Sequence, residues 1–361
     1  MLTILHGADF HLDSAFSGLK PEQAAQRRQE QRQLLEDFAA LAKTCQADLV
    51  LLAGDLLDSE RMYRETAQML AQTLGSIPCP VFLAPGNHDY YRPGVGYGAI
   101  RWPDNVHIFR NGLEKKVLPE QRCVVYGYGF TQPHLEASPL HGMKADEDDR
   151  WLKIMCVHGD VTTPDSLYGP ISQNEIAESG LDYLALGHIH KSSGLQRTGK
   201  TWWAYPGCPE GRGFDETGEK GVLLLRAKPG EVSGTFVPLG RHRYEECVVD
   251  VTGREPLDAI LAAVSGDTSR DIYRLELVGC CTGVDVTALE RALSKRFYGL
   301  TIVDHTKLPQ NLWSRREEDS LTGLFLRAMW EKCQREPENE CYRMAARFGL
   351  AALENGEDIA L

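Results

Sequence analysis

The sequence predicts an α/β protein with a smaller second unit towards its C-terminal end. Three observations predict it. Across the first two-thirds, short and continuously apolar runs alternate with longer amphipathic ones; this is the pattern of strands covered on both faces and helices packed over them. Five of the strand-like runs lead straight into short motifs rich in Asp, Asn and His. Around Tyr244 the alternation of strand and helix starts again.

Leu2 to His6 is a short apolar run that stops at Gly7. Residues from about Pro21 to Cys45 are polar but carry Leu34, Leu35, Phe38, Leu41 and Ala42 at helical spacing, with Pro near the start. Asp48 to Ala53 reads as a buried strand, Thr66 to Leu74 as a helix, and Pro80 to Ala84 as the next strand, running into Gly86. Short strands with Gly turns follow between Val106 and Phe130, including Cys123 to Phe130. Leu152 to Val157 and Tyr183 to Leu186 are again strands, and weaker ones are expected near 201–205, 221–225 and 235–237. The sum is a sandwich of two mixed sheets flanked by helices. Beyond Tyr244 the expected order is strand (247–251), helix (256–264), strand (272–278), helix (286–297) and strand (300–304), then helices near 320–333 and 340–353. The expected domains are therefore residues 1–243, 244–308 and a helical tail of 309–361. The acidic stretch Asp146-Glu147-Asp148-Asp149 reads as an exposed loop.

The chain has 361 residues, of which 42% are hydrophobic, enough for a sizeable core. No basic and apolar leader is visible at Met1-Leu2-Thr3-Ile4-Leu5-His6, and no run is long enough to span a membrane. Ten cysteines lack any Cys-x-x-Cys spacing and several sit among aliphatic residues. They read as reduced packing residues, hence cytoplasm. The formal net charge of −12 argues against a general nucleic-acid coat protein, since phosphate binding is led by Lys and Arg. Bound divalent cations and local basic clusters can still bring a phosphate to an acidic protein.

The chemistry lies in the five motifs: Asp9-Phe10-His11, Gly54-Asp55-Leu56-Leu57-Asp58, Gly86-Asn87-His88-Asp89, His158-Gly159-Asp160 and Gly187-His188-Ile189-His190. In extended backbone, side chains two apart point the same way, so Asp9 with His11, and His188 with His190, can each face one ion. Asp55 offers a carboxylate able to bridge two ions, Asn87 a neutral amide oxygen, and His158 an imidazole. Such mixed nitrogen and oxygen ligation without thiolate suits manganese, iron or zinc. Any one motif alone is an ordinary turn or strand end. Five in order, each after a predicted strand, describe a two-metal hydrolytic centre. The other six histidines (His6, His107, His134, His141, His242 and His305) read as core or surface residues.

This ordered set resembles the calcineurin-like metallophosphoesterases over roughly residues 1–240. More narrowly, His6-Gly7-Ala8-Asp9-Phe10-His11-Leu12-Asp13-Ser14 and Tyr205-Pro206-Gly207-Cys208-Pro209-Glu210-Gly211-Arg212 resemble the SbcD-type DNA-repair nucleases, closest to their YhaO-like branch. The chain departs from the nuclease pattern at Ala8, where Ser is usual, and at Asp13, where Gly is common. The resemblance implies a four-layer αββα catalytic domain, a smaller α+β capping domain that contacts DNA, and an SbcC-like coiled-coil ATPase partner. It also implies two divalent ions, manganese foremost. Carried over by that resemblance, Asp9, His11, Asp55 and His190 would hold the first, and Asp55, Asn87, His158 and His188 the second. By the same resemblance His88 would be the general acid, with Asp58 orienting it.

The function expected from the resemblance is a metal-dependent DNA nuclease, exo- or endonucleolytic, acting in DNA repair. Tyr90, Tyr91, Arg92, Lys191 and Arg212 lie next to the motifs and are candidate DNA contacts through stacking and phosphate binding. One alternative is a phosphodiesterase or phosphatase for a small nucleotide or a phosphoprotein, which the acidic balance suits. Another is a noncatalytic scaffold that binds DNA ends or an ATPase. The tail carries Leu321, Leu324, Phe325 and Met329 at helical spacing, fit either to dock a partner or to pack on its own domain. A homodimer is a further expected partner arrangement.

Overall fold

The computed structural model describes residues 1–361 except 18–20, 60, 61, 111, 147, 149, 282, 308, 309, 338 and 356–361. It divides into two compact units, Met1–Arg243 and Tyr244–Leu361. The expected boundary between residues 308 and 309 lies outside the described residues, as do Glu147 and Asp149. Asp146 and Asp148 pair with Lys115 and Arg150 on the surface.

The first unit begins with β1 (Leu2–Gly7), α1 (Pro21–Thr44), β2 (Leu49–Leu52), α2 (Arg64–Gly75), β3 (Val81–Leu83) and β4 (Val106–Ile108). It continues through β5 (Gly112–Leu118), β6 (Cys123–Gly129), β7 (Leu152–His158), α3 (Gln173–Glu178) and β8 (Tyr183–Gly187). It ends with β9 (Gln196–Thr198), β10 (Thr201–Ala204), β11 (Gly221–Lys228) and β12 (Glu231–Pro238). Two six-stranded sheets result, in the orders β12-β11-β1-β2-β3-β4 and β5-β6-β7-β8-β10-β9. Strands β1 to β4 run parallel, as do β6, β7, β8 and β10, while β11 and β12 on one sheet and β5 and β9 on the other add antiparallel pairings.

Side chains alternate across each sheet with a period of two, and each face finds its own partner. In β1, Ile4 points between the sheets, where it joins Leu49, Leu51, Phe82, Val125, Ile154, Cys156 and Ala185. Leu5 points outward, to a core with Leu35 and Phe38 of α1 and Leu70 and Leu74 of α2. On the far side, Met155, Val157, Leu184 and Leu186 pack with Ile176 of α3. The layers are thus helix, sheet, sheet and helix, the four-layer αββα sandwich.

The second unit comprises β13 (Tyr244–Asp250), α4 (Pro256–Ala263), β14 (Ile272–Val278), α5 (Val286–Leu293) and β15 (Gly299–Asp304), then a 3₁₀ segment (Gln310–Glu317), α6 (Leu321–Arg335) and α7 (Glu340–Asn355). The three strands are all parallel. The α+β arrangement expected for this unit is corrected to α/β: strands and helices alternate as βαβαβ about a parallel sheet, over a core of Val249, Ile260, Leu275, Leu277, Leu293 and Ile302. In the tail, Leu326 packs with Leu350, Phe325 and Trp313, and Met329 is buried. Leu321 and Leu324 are 69% and 60% exposed, so the expected apolar stripe divides between inward packing and solvent.

Candidate metal centre

The parallel strands of the two inner sheets end at one edge, and the five motifs occupy the loops there. Backbone hydrogen bonds stitch the first two loops together: Asp9 N–H donates to Gly54 O at 3.0 Å, His11 to Asp55 at 2.9 Å and Leu12 to Leu56 at 2.8 Å. Carboxylates tie in the others. Asp9 accepts from the backbone N–H of His188 at 3.1 and 3.2 Å. Asp55 Oδ1 accepts from that of His88 at 3.0 Å. Asp89, fully buried, accepts from the N–H groups of Gly86 (2.7 Å), Leu57 (3.1 Å) and Asp55 (3.3 Å) and from the Tyr97 hydroxyl. One carboxylate therefore fixes the second and third motif loops against each other. Burial and the nearby charge of Asp55 push its pKa up to about 6.

The chain turns sharply at these ligands. Asp9, His11, Asp55 and His188 have φ of 55°, 47°, 50° and 111°. Non-Gly residues there store backbone strain, which a surrounding network must hold in place.

Three sets of ligand atoms come within 4.8 Å of one another: Asp9 with His11 and His190, Asp9 with Asp55 and His158, and His11 with Asp58 and His88. The imidazoles are aimed from behind. His11 Nδ1 bonds Asp58 Oδ1 at 3.1 Å, His190 Nδ1 bonds Glu216 Oε1 at 2.6 Å, and His158 Nδ1 donates to Ala53 O at 2.9 Å. A hydrogen on each Nδ1 leaves the Nε2 lone pair facing inward, the tautomer a metal ligand needs. His11 Nε2 and His190 Nε2 then stand 3.1 Å apart. His158 Nε2 stands 2.9 Å from Asn87 Oδ1 and 3.4 Å from Asp55 Oδ2. Acceptors crowded so closely in a buried site call for positive charge between them. The donor set therefore fits divalent cations. His188 lies slightly apart, its ring 5.2 Å from that of His158.

The charges are graded. Burial raises the pKa of Asp9; at Asp55 it pushes the same way, but His158, His11 and His88 outweigh it and hold the carboxyl low. Burial lowers His11, against its bond to Asp58, and lowers His188 to about 4. His190 is raised, because Glu216 and Asp9 overcome its burial.

The family match agrees with this geometry. Residues 2–192 match the calcineurin-like phosphoesterase family model. The chain belongs to the calcineurin-like phosphoesterases. The chain is also 32% identical, over 288 residues, to the uncharacterized metallophosphoesterase YhaO of Bacillus subtilis, covering 74% of this chain and 68% of that protein. Two solved structures are similar across 65% of this chain. One is TT1561 of Thermus thermophilus, matched over 98% of its length with a TM-score of 0.40 and 14% identity. The other is a dimetal phosphatase from Danio rerio, matched over 99% with a TM-score of 0.41 and 11% identity.

Around the metal centre of this phosphoesterase, several expected residues take different places. His88 is exposed and its Nδ1 donates to the backbone carbonyl of Asp58 at 2.9 Å. Asp58 thus holds His88 through its carbonyl, not its carboxylate; the carboxylate is taken by His11 and by Arg212, 2.9 Å away. Arg212 is correspondingly not a free DNA contact: it pairs with Asp58 and, at 3.1 Å, with Glu216. Tyr91 packs on the α1–α2 core, with the Arg110 guanidinium 5.6 Å from its ring, while Tyr90 is half-buried. Arg92 and Lys191 are exposed.

Glu216, Tyr168 and His134 also stand at the site, and no motif pointed to them. Glu216 lies 26 residues beyond the His190 it orients. Tyr168 tilts over His188 at 5.2 Å, and His134 stacks on Tyr168 at 5.7 Å. Asp13, a departure from the nuclease pattern, accepts from Tyr63 N–H, Thr66 Oγ1 and Arg32. It ties α1 to the start of α2.

Proposed function

We propose that this phosphoesterase is a metal-dependent phosphodiesterase that cleaves DNA, with manganese as its working metal. The observation that carries the reading is the placement of His88: exposed, anchored through Nδ1, and with its ring 4.9 Å from that of His11. A proton donor held at the surface beside the ligand cluster suits a phosphodiester within a long chain. Asp9, His11, Asp55 and His190 would hold one divalent cation, and Asp55, Asn87, His158 and His188 a second; when bound, the pair would supply Lewis-acid activation of water and charge neutralisation at the phosphate. In the protonated His88 ring both nitrogens carry hydrogen. Nδ1 is spent on Asp58, so the proton for the leaving oxygen comes from Nε2.

Lys191 and Arg92, exposed beside the motif loops, and the stacked rings of His134 and Tyr168 support a nucleic-acid substrate. The SbcD-like segments point the same way and make an SbcC-like ATPase the proposed partner, with the exposed Leu321 and Leu324 of the tail as its contact. Ten free thiols suit the cytoplasm. Among the described residues, no helix is long and apolar enough to cross a membrane.

The second reading is a small nucleotide or phosphoprotein as substrate, favoured by the net charge of −12. One assay separates them: defined linear and nicked DNA, cyclic nucleotides and mononucleotides, each with added manganese. DNA cleavage is the expected result. Brisk turnover of small esters with every DNA form intact would remove the nuclease.

A further inference from the structure

We propose that Arg212 is a positioning residue that sets how tightly the centre holds one of its two cations, by locking together the carboxylates that aim His11 and His190. This rests on the dinuclear reading above. The Arg212 guanidinium donates through Nη1 to Asp58 Oδ1 at 2.9 Å and through Nη2 to Glu216 Oε1 at 3.1 Å. The same two oxygens meet the Nδ1 atoms of His11 and His190 at 3.1 and 2.6 Å. The Nε2 atoms of those rings face each other at 3.1 Å. Arg212, Asp58, His11, His190 and Glu216 therefore form a closed loop, whose one unbonded joint is the gap between two imidazole lone pairs.

The loop is held firmly at its cationic end. The Arg212 backbone N–H donates to Glu216 Oε2 at 2.8 Å, so both Glu216 oxygens are committed. The preceding Glu210 is clamped by Arg27 at 3.0 Å and accepts from the N–H groups of Arg241 and His242. A planar guanidinium is suited to this role, because it bridges two carboxylates in a fixed fork. Without it, Asp58 and Glu216 lose the positive charge that keeps them side by side. Each is then free to rotate away from the Nδ1 it orients. Partners behind a metal-ligating histidine govern affinity through such orientation. The ligands Asn87, His158 and His188 have no part in the loop, so the effect belongs to one cation.

The test is manganese binding by the metal-free full-length protein, followed by calorimetry and by the electron paramagnetic resonance of free Mn²⁺. Wild type is expected to take up two ions. Arg212→Gln is expected to lose roughly 10- to 100-fold in affinity at one step and keep the other. Glu216→Gln is expected to weaken the same step, and the double variant to be little worse than the weaker single, because both act through one linkage. Arg212→Lys, whose ammonium reaches one carboxylate at a time, is expected to fall between wild type and Arg212→Gln; it carries the comparison should Arg212→Gln not fold. Two ions bound with wild-type affinity by Arg212→Gln, or losses that multiply fully in the double variant, would overturn the clamp alone. Uptake of fewer than two ions by wild type would overturn the dinuclear reading and the clamp with it.

Discussion

His88 and His6 show how the same side chain serves two ends in this fold. His88 sits in solvent with one nitrogen tethered to a carbonyl. It contacts the ligand His11 only edge to face, with rings 4.9 Å apart and 85° between planes. His88→Ala is therefore expected to keep its full metal content while turnover of bis-nitrophenyl phosphate drops by ~10²–10⁴, the usual contribution of a positioned acid. Metal analysis beside kcat checks it; undiminished kcat in the metal-replete variant would deny His88 the proton. His6 is wholly buried, its Nδ1 2.9 Å from Tyr183 Oη. Burial pushes its pKa from 6.5 down to about 3. Below pH 6.5 the unfolded chain takes up a proton that the folded chain refuses, so the stabilisation is full above 6.5 and is lost as pH falls towards 3. Between pH 7 and pH 5 this amounts to about 2 kcal/mol, at 1.36 kcal/mol per unit. Urea denaturation of metal-free wild type and His6→Gln at the two pH values is expected to show that difference in their acid sensitivity. Parallel pH dependence in the two proteins would assign the acid lability elsewhere.

The elements are positioned by close approach of strand ends. Gly187 closes β8 against the end of β2, where an added Cβ would stand 1.9 Å from Ala53 O and 2.9 Å from Ala8 Cβ. Neither neighbour can swing aside, since one is backbone and the other a methyl buried between the sheets. Gly187→Ala is expected to cost about 3 kcal/mol, the upper range for overpacking, and to move His188 and His190 off the cluster. A lowered urea midpoint together with less than two bound manganese ions checks it. Such constraints explain what the sequence could disclose. Strand ends were readable because β1, β2, β3, β7 and β8 are buried on both faces and their apolar runs stop where the ligands start. Glu216 and Tyr168 come from loops, where neither period nor spacing points at a partner. The six-residue α3 buries only Ile176, too little to write a helical pattern. β5, within the stretch expected to hold short strands, is an edge strand whose Glu114, Lys115 and Lys116 protect the edge. That Asp58 gives its carbonyl to His88 and its carboxylate to His11 is invisible in a motif, which fixes residue type and not the atom used.

Across the whole molecule, chemistry and core are gathered in the same unit. All seven ligand candidates, His88, Asp58, Glu216 and Arg212 lie in Met1–Arg243, as do the three cores that set the strand ends. The unit Tyr244–Leu361 has cores of its own, around Leu275 and around Leu326. A fragment of residues 1–243 is therefore expected to fold, to bind two manganese ions and to hydrolyse bis-nitrophenyl phosphate within a few-fold of the full chain. DNA is a different demand. At a net charge of −12 the protein gains little from general attraction to phosphates, so grip on a polymer has to come from local contacts, and the second unit is where the resemblance puts them. On the proposed nuclease reading, the fragment is expected to lose DNA cleavage while it keeps the small ester, and DNA cleavage by the full chain is expected to fall steeply with added salt. Equal loss of both activities in the fragment, with its fold intact by circular dichroism, would mean that the second unit completes the centre. Equal retention of both would place the DNA contacts on the sandwich itself, beside Lys191 and Tyr168.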